Sequence, residues 1–254
     1  MNAILTIARR DLRSFFTSPK GWAIFFFFLL FMGFFFKSFV DHFLELQQRA
    51  PMMGGQAPTL EQLLRALFYN LHFILILVIP AVTMSSFSEE RRNQTLRLLQ
   101  TAPISPTQIV LGKFSATAIM MTLVLGASFV YPAYTMKYGS PDKATILASY
   151  LGIFLLVCSQ LAFGLWISAM TTNQFLSFIF TMFGLFLLLI LNWLAPNISG
   201  GGVFESTIKY IASTDHLDVF FKGMLTVKDV TYFLCFTGMF LFFTNVVLDS
   251  QRWR

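Results

Sequence analysis

Six long apolar segments divide this chain, and they restrict its fold more than any other feature. They cover residues 22–40, 66–87, 107–134, 144–170, 175–194 and 230–248. A helix needs about 20 mostly apolar residues to cross about 30 Å of hydrocarbon. Inside a bilayer only helices and closed barrels satisfy the backbone polar groups. The pattern therefore predicts an all-α polytopic membrane protein with six transmembrane helices.

The composition supports a membrane protein. The chain has 254 residues, of which 56% are hydrophobic, 12% are charged and 32 are phenylalanine, whereas about 25% of the residues in soluble domains are charged. Cys158 and Cys235 both lie in apolar segments, where a free thiol behaves as a small apolar group. The net charge of +6 is interpreted as an orientation signal, and we expect no nucleic-acid partner.

The N-terminal residues 1–20 have the pattern of a helix that lies along a membrane surface. Apolar residues recur at helical spacing, and arginines occupy the other side. The apolar face is Ile4, Leu5, Ala8, Leu12, Phe15 and Phe16, and the arginines are Arg9, Arg10 and Arg13. An amphipathic helix of this kind lies in the interface plane, so we predict an interfacial elbow helix.

The distribution of basic residues predicts the orientation of the chain. Six spans place both termini on one side, together with residues 88–106. With Lys113 and Lys37 counted at the nearer ends of their spans, that side carries ten basic and four acidic residues, whereas the other side carries eight of each. Cytoplasmic loops are enriched in lysine and arginine, so we expect both termini to be cytoplasmic.

Residues 88–106 form a polar segment between two apolar ones, which we call the polar island. Each charge at the bilayer centre costs at least about 2.5 kcal/mol, so the island must lie in water. Its charged residues are Glu89, Glu90, Arg91 and Arg92, and Thr95, Leu96, Leu98 and Leu99 give a short helix one apolar edge. Two prolines, at 103 and 106, stop that helix. The island therefore has the character of a docking surface.

Motifs for several other activities are missing from the sequence. No phosphate-binding loop of the form G-x-x-x-x-G-K-[ST] occurs. Aspartate, glutamate, lysine and arginine, which would mark ion-coupled transport, occur in the spans only at the margins, at Lys37 and Lys113. The three histidines do not form a catalytic or metal-ligating pattern. We therefore expect the chain not to be an enzyme.

Four sequence patterns together resemble one family. They are E-E-R-R-N-Q-T-L-R-L-L-Q-T-A-P-I-S with Gly112-Lys113, the N-terminal A-R-R-D-L-R-S-F-F-x-S-P, H-L-D-V-F-F-K-G-M-L at 216–225, and the closing S-Q-R-W. This combination resembles ABC-2 type transporter permeases. The gliding-motility-associated and nitrous-oxide-reductase-maturation permeases are the most similar branch. The family usually has Gly where this chain has Gln94, and Glu where it has Arg97.

The resemblance implies a role for particular residues. In such permeases the polar island is a cytoplasmic coupling loop that docks on an ABC ATPase, and here it would use Glu89, Glu90, Arg91, Arg92, Thr95, Leu96, Leu98 and Leu99. Residues 195–229 would form an external re-entrant segment of two short helices before the last span. The gate residues in that segment would be His216, Asp218, Phe220, Lys222 and Gly223.

The resemblance also implies the setting in which the chain works. It implies a type V exporter-like permease of the bacterial inner membrane, in contact with membrane lipid. Two copies of a separate ATPase subunit would bind the ATP, so the permease itself would have no cofactor. A second permease chain, identical or related, would complete the pathway.

Alternative functions remain open from the sequence alone. A structural membrane subunit of a motility or secretion machine would show the same spans. A secondary transporter or channel is less favoured, because ionisable residues are missing from the middle of the spans.

Overall fold

The structure is a computed structural model, and it describes residues 2–49, 58–95, 104–194 and 213–252. The helices in chain order are α1 (Asn2–Thr17), α2 (Pro19–Arg49), α3 (Leu60–Thr83), α4 (Ser88–Arg92), α5 (Pro106–Ser128), α6 (Val130–Tyr138), α7 (Lys143–Met170), α8 (Gln174–Leu194), α9 (Ser213–Phe221) and α10 (Val227–Arg252). No strand occurs in these ranges. The predicted all-α fold is confirmed.

Six stretches are long and apolar enough to cross a membrane. They are Pro19–Arg49, Leu60–Arg92, Pro106–Tyr138, Lys143–Met170, Gln174–Leu191 and Val227–Gln251. This number confirms the predicted six-span class.

Some helix bounds differ from those expected. The apolar segments predicted spans over 22–40 and 66–87, yet α2 continues to Arg49 and α3 begins at Leu60. Polar residues such as Glu45 and Arg49, which form an ion pair with a 2.6 Å separation, let a helix continue beyond its apolar part.

Helix α7 is the centre of the bundle. It packs against α3, α5, α8, α9 and α10, and Ile153, Leu161 and Leu165 on it are completely buried. By contrast, α2 and α8 present large apolar side chains outward, among them Phe34 and Phe183, which are 66% and 63% exposed. Such an all-round apolar helix is stable only where its outer face meets hydrocarbon or another apolar surface.

The helix starts follow local sequence signals. Ser105 precedes α5, its hydroxyl accepts a hydrogen bond from the Gln108 backbone N–H at 3.3 Å, and the Gln108 side chain accepts from the Ser105 N–H at 3.2 Å. This reciprocal capping box, with Pro106 in the first turn, satisfies backbone donors that the helix leaves unpaired. Asp142 caps α7 in a similar way by accepting from the backbone of Ala144 and Thr145.

Candidate functional site

The turn between α3 and α4 is fixed to the central helix by one serine. Ser168, on α7, is completely buried. Its hydroxyl accepts hydrogen bonds from the backbone N–H of Phe87 at 3.1 Å and of Ser88 at 3.2 Å. Buried backbone donors that lack a partner are costly. The start of the polar island therefore has a defined position against α7.

A second attachment lies at the end of α7. Arg91 Nη1 donates to the carbonyl oxygen of Ala169 at 2.6 Å. The side chain of Gln251, on α10, donates to the same oxygen at 3.4 Å. A cation at the C-terminus of a helix is stabilised by the helix dipole. Arg91 therefore holds α4 against the end of α7, and Gln251 joins α10 to the same carbonyl.

Four charged side chains form one cluster beside α4, which we call the ion cluster. Lys113 Nζ lies 2.9 Å from Glu90 Oε1 and 3.2 Å from Asp11 Oδ2. Arg10 Nη2 lies 2.7 Å from the same Glu90 oxygen and 2.8 Å from Asp11 Oδ1. The Lys113 side chain is only 3% exposed and also donates to the Ser86 carbonyl at 2.7 Å. A buried ammonium without such partners would cost several kcal/mol, so the cluster joins α1, α4 and α5.

Gly112 brings α1 close enough for the ion cluster to form. A Cβ atom at this position would lie 2.9 Å from Ile7 Cβ and 3.3 Å from the Ile4 carbonyl oxygen. Only a residue without a side chain allows the backbones of α1 and α5 to approach this closely. The Gly112-Lys113 pair thus has a structural reason: the glycine permits the contact, and the lysine bonds across it.

The remaining described part of the island faces outward. Arg92, Asn93, Gln94 and Thr95 are exposed, whereas Glu89 is half-buried. Gln94 has a φ of 58°, a left-handed conformation that costs a non-glycine residue about 1–2 kcal/mol. A glycine at this position would adopt the same conformation without that cost. Leu96, Leu98 and Leu99, predicted as the apolar edge, lie outside the described residues.

The segment before the last span holds His216 against α10. His216 Nδ1 and Asp229 Oδ1 are hydrogen-bonded at 2.5 Å, and both residues are buried. The imidazole also stacks on the Tyr232 ring with centroids 4.1 Å apart. Of the two short helices predicted for residues 195–229, α9 lies in the described part of the chain, and residues 195–212 lie outside it.

Asp218 links α9 to α3. It accepts a hydrogen bond from the Tyr69 hydroxyl at 2.7 Å and forms an ion pair with Lys222. Burial alone would raise the pKa of Asp218, but the hydrogen bonds from Lys222 and Tyr69 outweigh it and lower the pKa below its ordinary value. The carboxylate is therefore held in its charged form.

The other predicted gate residues fix the position of α9. Phe220 is completely buried and fills the space above Gly152 on α7, where a Cβ would lie 2.6 Å from its ring. Gly223 has a φ of 76°, and its N–H donates to the Phe220 carbonyl at 2.9 Å. This left-handed glycine ends α9 in the usual manner of helix C-termini.

A comparison with protein-family models identifies the chain. Residues 5–248 match the model described as ABC-2 family transporter protein, which spans all the helices that build the ion cluster and the segment α9. The chain belongs to the ABC-2 transporter family. No curated protein matches this ABC-2 chain significantly. Members of the family are membrane components of transporters and are not themselves catalytic.

The structure of this ABC-2 permease brings together residues that the sequence left apart. Glu90 and Arg91 were predicted to contact an ATPase, but their side chains bond within the chain, to the ion cluster and to Ala169. Arg92 and Thr95 remain exposed. The docking role of all these residues stays a prediction.

Arg10 and Asp11 were missed as members of the site. A signal for them was present, because a lysine at the edge of an apolar segment requires a counter-ion and Asp11 is the single acidic residue of α1. In the described ranges, the histidines, cysteines and carboxylates form no group of three or more that could hold a metal ion.

Proposed function

We propose that this ABC-2 permease is the membrane subunit of an exporter, and that a separate ABC ATPase docks on its polar island. The observation that carries the proposal is the asymmetry of the island. One side is bonded to α1, α5 and α7 through the ion cluster and Arg91, while the other side exposes Arg92 and Thr95. A segment attached rigidly to the bundle transmits a push on its outer face to the spans.

The wider assembly is part of the same proposal. Two ATPase copies and a second permease chain, identical or related, would form the working transporter in the bacterial inner membrane. The gliding-motility and nitrous-oxide-reductase-maturation permeases remain the branch we favour, because the patterns quoted above cover both ends of the chain. Helix α9, with His216 and Asp218, would lie at the external gate.

Charge reversal at the exposed side of the island tests the docking proposal. Arg92→Glu should weaken the free energy of association with the ATPase subunit by about 2 kcal/mol or more, because losing one side of an interfacial charge pair commonly costs about 2–5 kcal/mol. Co-purification of the subunit should fall accordingly. The matched control is Lys143→Glu, an exposed residue in the first turn of α7. Full ATPase binding and full stimulated turnover by Arg92→Glu, at normal abundance, would contradict docking at this surface. ATPase binding without coupled turnover in the wild type would instead indicate a structural subunit.

Cysteine labelling in intact cells tests the orientation. Cys158 and Cys235, both free, are first replaced by serine, and single cysteines are then introduced at Arg92 and Lys143. Both positions are exposed. An impermeant thiol reagent should modify the cysteine at 143 and leave the one at 92 unmodified until the membrane is opened. The reverse pattern would place the island outside and would overturn the proposal.

A further inference from the structure

A cavity of about 390 Å³ lies beneath α1. It is a cleft open to the outside, bounded by α1, the start of α2, the turn between α3 and α4, and α5. Its size falls within the range of small-ligand sites, about 300–1,000 Å³. Its charged lining consists of Arg10, Asp11, Lys20, Glu89, Glu90 and Lys113. The three positive and three negative charges balance, so the cavity as a whole favours neither an anion nor a cation.

Four of the six charged side chains belong to the ion cluster, which leaves Lys20 and Glu89. In the part of the chain that the structure describes, neither Lys20 nor Glu89 has a side-chain hydrogen bond or ion pair. Glu90 uses Oε1 for both of its cations, while its Oε2 is shielded from solvent and has no hydrogen-bond partner. A buried acceptor without a donor is costly. Because Glu90 Oε2 is shielded from solvent, the unpaired charged groups that a ligand in the cavity can reach are the Lys20 ammonium and the Glu89 carboxylate.

We propose that this cavity binds a glycerophospholipid whose headgroup carries both a phosphate and a primary ammonium, as in phosphatidylethanolamine. The ammonium donates its N–H groups to the Glu89 carboxylate. The phosphate lies against Lys20. A quaternary ammonium has the same charge but no N–H group, so it cannot donate to Glu89.

The apolar part of the cavity selects a lipid rather than a soluble phosphoamine. Phe15, Ile24 and Met120 line it beside the charged groups. It lies where the amphipathic α1 meets α2, the first candidate membrane span. Trp22 at this junction is 59% exposed, and tryptophan is enriched at the membrane interface. A headgroup enters the polar part while its glycerol and acyl chains follow the apolar side.

Lipid titration of the purified full-length chain tests the proposal. Native mass spectrometry in detergent would compare phosphatidylethanolamine, phosphatidylcholine and phosphatidylglycerol with identical acyl chains. We expect about tenfold tighter binding of phosphatidylethanolamine than of phosphatidylcholine, the size of effect that one charge-assisted hydrogen bond gives. Equal affinity for the two lipids would overturn the proposal. Competition by free phosphoethanolamine at the same concentration as the lipid would also overturn it, because the ligand would then be soluble.

Two variants test the ammonium contact and the phosphate contact of the headgroup separately. Glu89→Gln should bring the affinities for phosphatidylethanolamine and phosphatidylcholine closer, because only the ammonium contact changes. Lys20→Gln should weaken both lipids by a similar factor, because both carry the phosphate. Glu61→Gln and Lys143→Gln, at exposed positions away from the cavity, are the matched controls and should leave both affinities unchanged. An unchanged lipid preference in Glu89→Gln would contradict the assignment.

The readout needs no ATPase, so it is independent of the proposed docking of that subunit. Should a variant fail to fold, the comparison of lipids on the wild-type chain still decides the matter.

Discussion

Lys113 Nζ lies 2.9 Å from Glu90 Oε1, so the polar island is bonded to the helix that follows it. Replacing Lys113 by Met keeps the length of the side chain but leaves Glu90 and Asp11 with Arg10 as their shared cation. Removal of one partner from a buried ion pair costs about 3–5 kcal/mol. We expect Lys113→Met to lower the midpoint of thermal unfolding markedly in detergent. Lys143→Met, at an exposed position, is the control.

The double variant checks that the loss comes from the ion cluster. Glu90→Gln removes the carboxylate that Lys113 neutralises, so the loss in Lys113→Met combined with Glu90→Gln should be smaller than the sum of the single losses. Residues in one charged network show interaction energies of about 0.5–3 kcal/mol. Strict additivity would show that the two side chains do not interact.

Gly112 permits a second quantitative test. In Gly112→Ala the new methyl group lies 2.9 Å from Ile7 Cβ, which is too close, so α1 must move away from α5. Overpacking of this kind costs about 1–3 kcal/mol. Gly126→Ala, on the same helix, is the control because nothing lies within 4 Å of the added methyl. That control should be neutral or stabilising by up to about 1 kcal/mol. Similar unfolding midpoints for the two variants would contradict the close packing.

Backbone geometry also makes a prediction at Gln94. With φ at 58°, Gln94→Gly should relieve the left-handed strain and leave the unfolding midpoint equal or higher. Gln94→Val should lower the free energy of unfolding by about 1–2 kcal/mol, because a β-branched residue tolerates this conformation least. Thermal unfolding of the three proteins in parallel measures the difference. A valine variant as stable as the glycine variant would show that the segment adopts another backbone conformation.

The lowered pKa of Asp218 predicts that the folding stability depends on pH. The hydrogen bonds from Lys222 and Tyr69 outweigh burial and hold the pKa of Asp218 below its unfolded value. As the pH falls, the unfolded chain therefore takes up the proton first. The stabilisation is complete above about pH 4, the ordinary range of this carboxyl, and it is lost as the pH falls through the folded pKa. The difference in unfolding midpoint between wild type and Asp218→Asn should be constant well above about pH 4 and should shrink as the pH falls below about 4. A constant difference would exclude this role.

The fold followed from the sequence because hydrocarbon imposes a simple rule. Segments such as 22–40 and 230–248 are recognisable by composition and length alone. The ends of helices were less predictable. The helix that begins at Pro19 continues through polar residues to Arg49, since side-chain bonds between neighbouring turns sustain a helix where no apolar pattern remains.

The site was predictable only in part. The sequence places the charges of the island outside the apolar segments, but their partners depend on which helices lie side by side. Asp11 and Lys113 are far apart in sequence, and their contact requires the close approach at Gly112. No periodicity reveals such a contact. For the same reason, the sequence did not distinguish Glu90, which bonds inward, from Arg92, which is exposed.

The carbonyl of Ala169 accepts hydrogen bonds from both Arg91 and Gln251. The stretching frequency of this one carbonyl therefore depends on the positions of both α4 and α10. Hydrogen bonding lowers the stretching frequency of a carbonyl, and a charged donor lowers it most. A chain that carries an isotopic label at this carbonyl would therefore report by infrared spectroscopy whether the island has separated from the end of α7, without any probe attached to the protein.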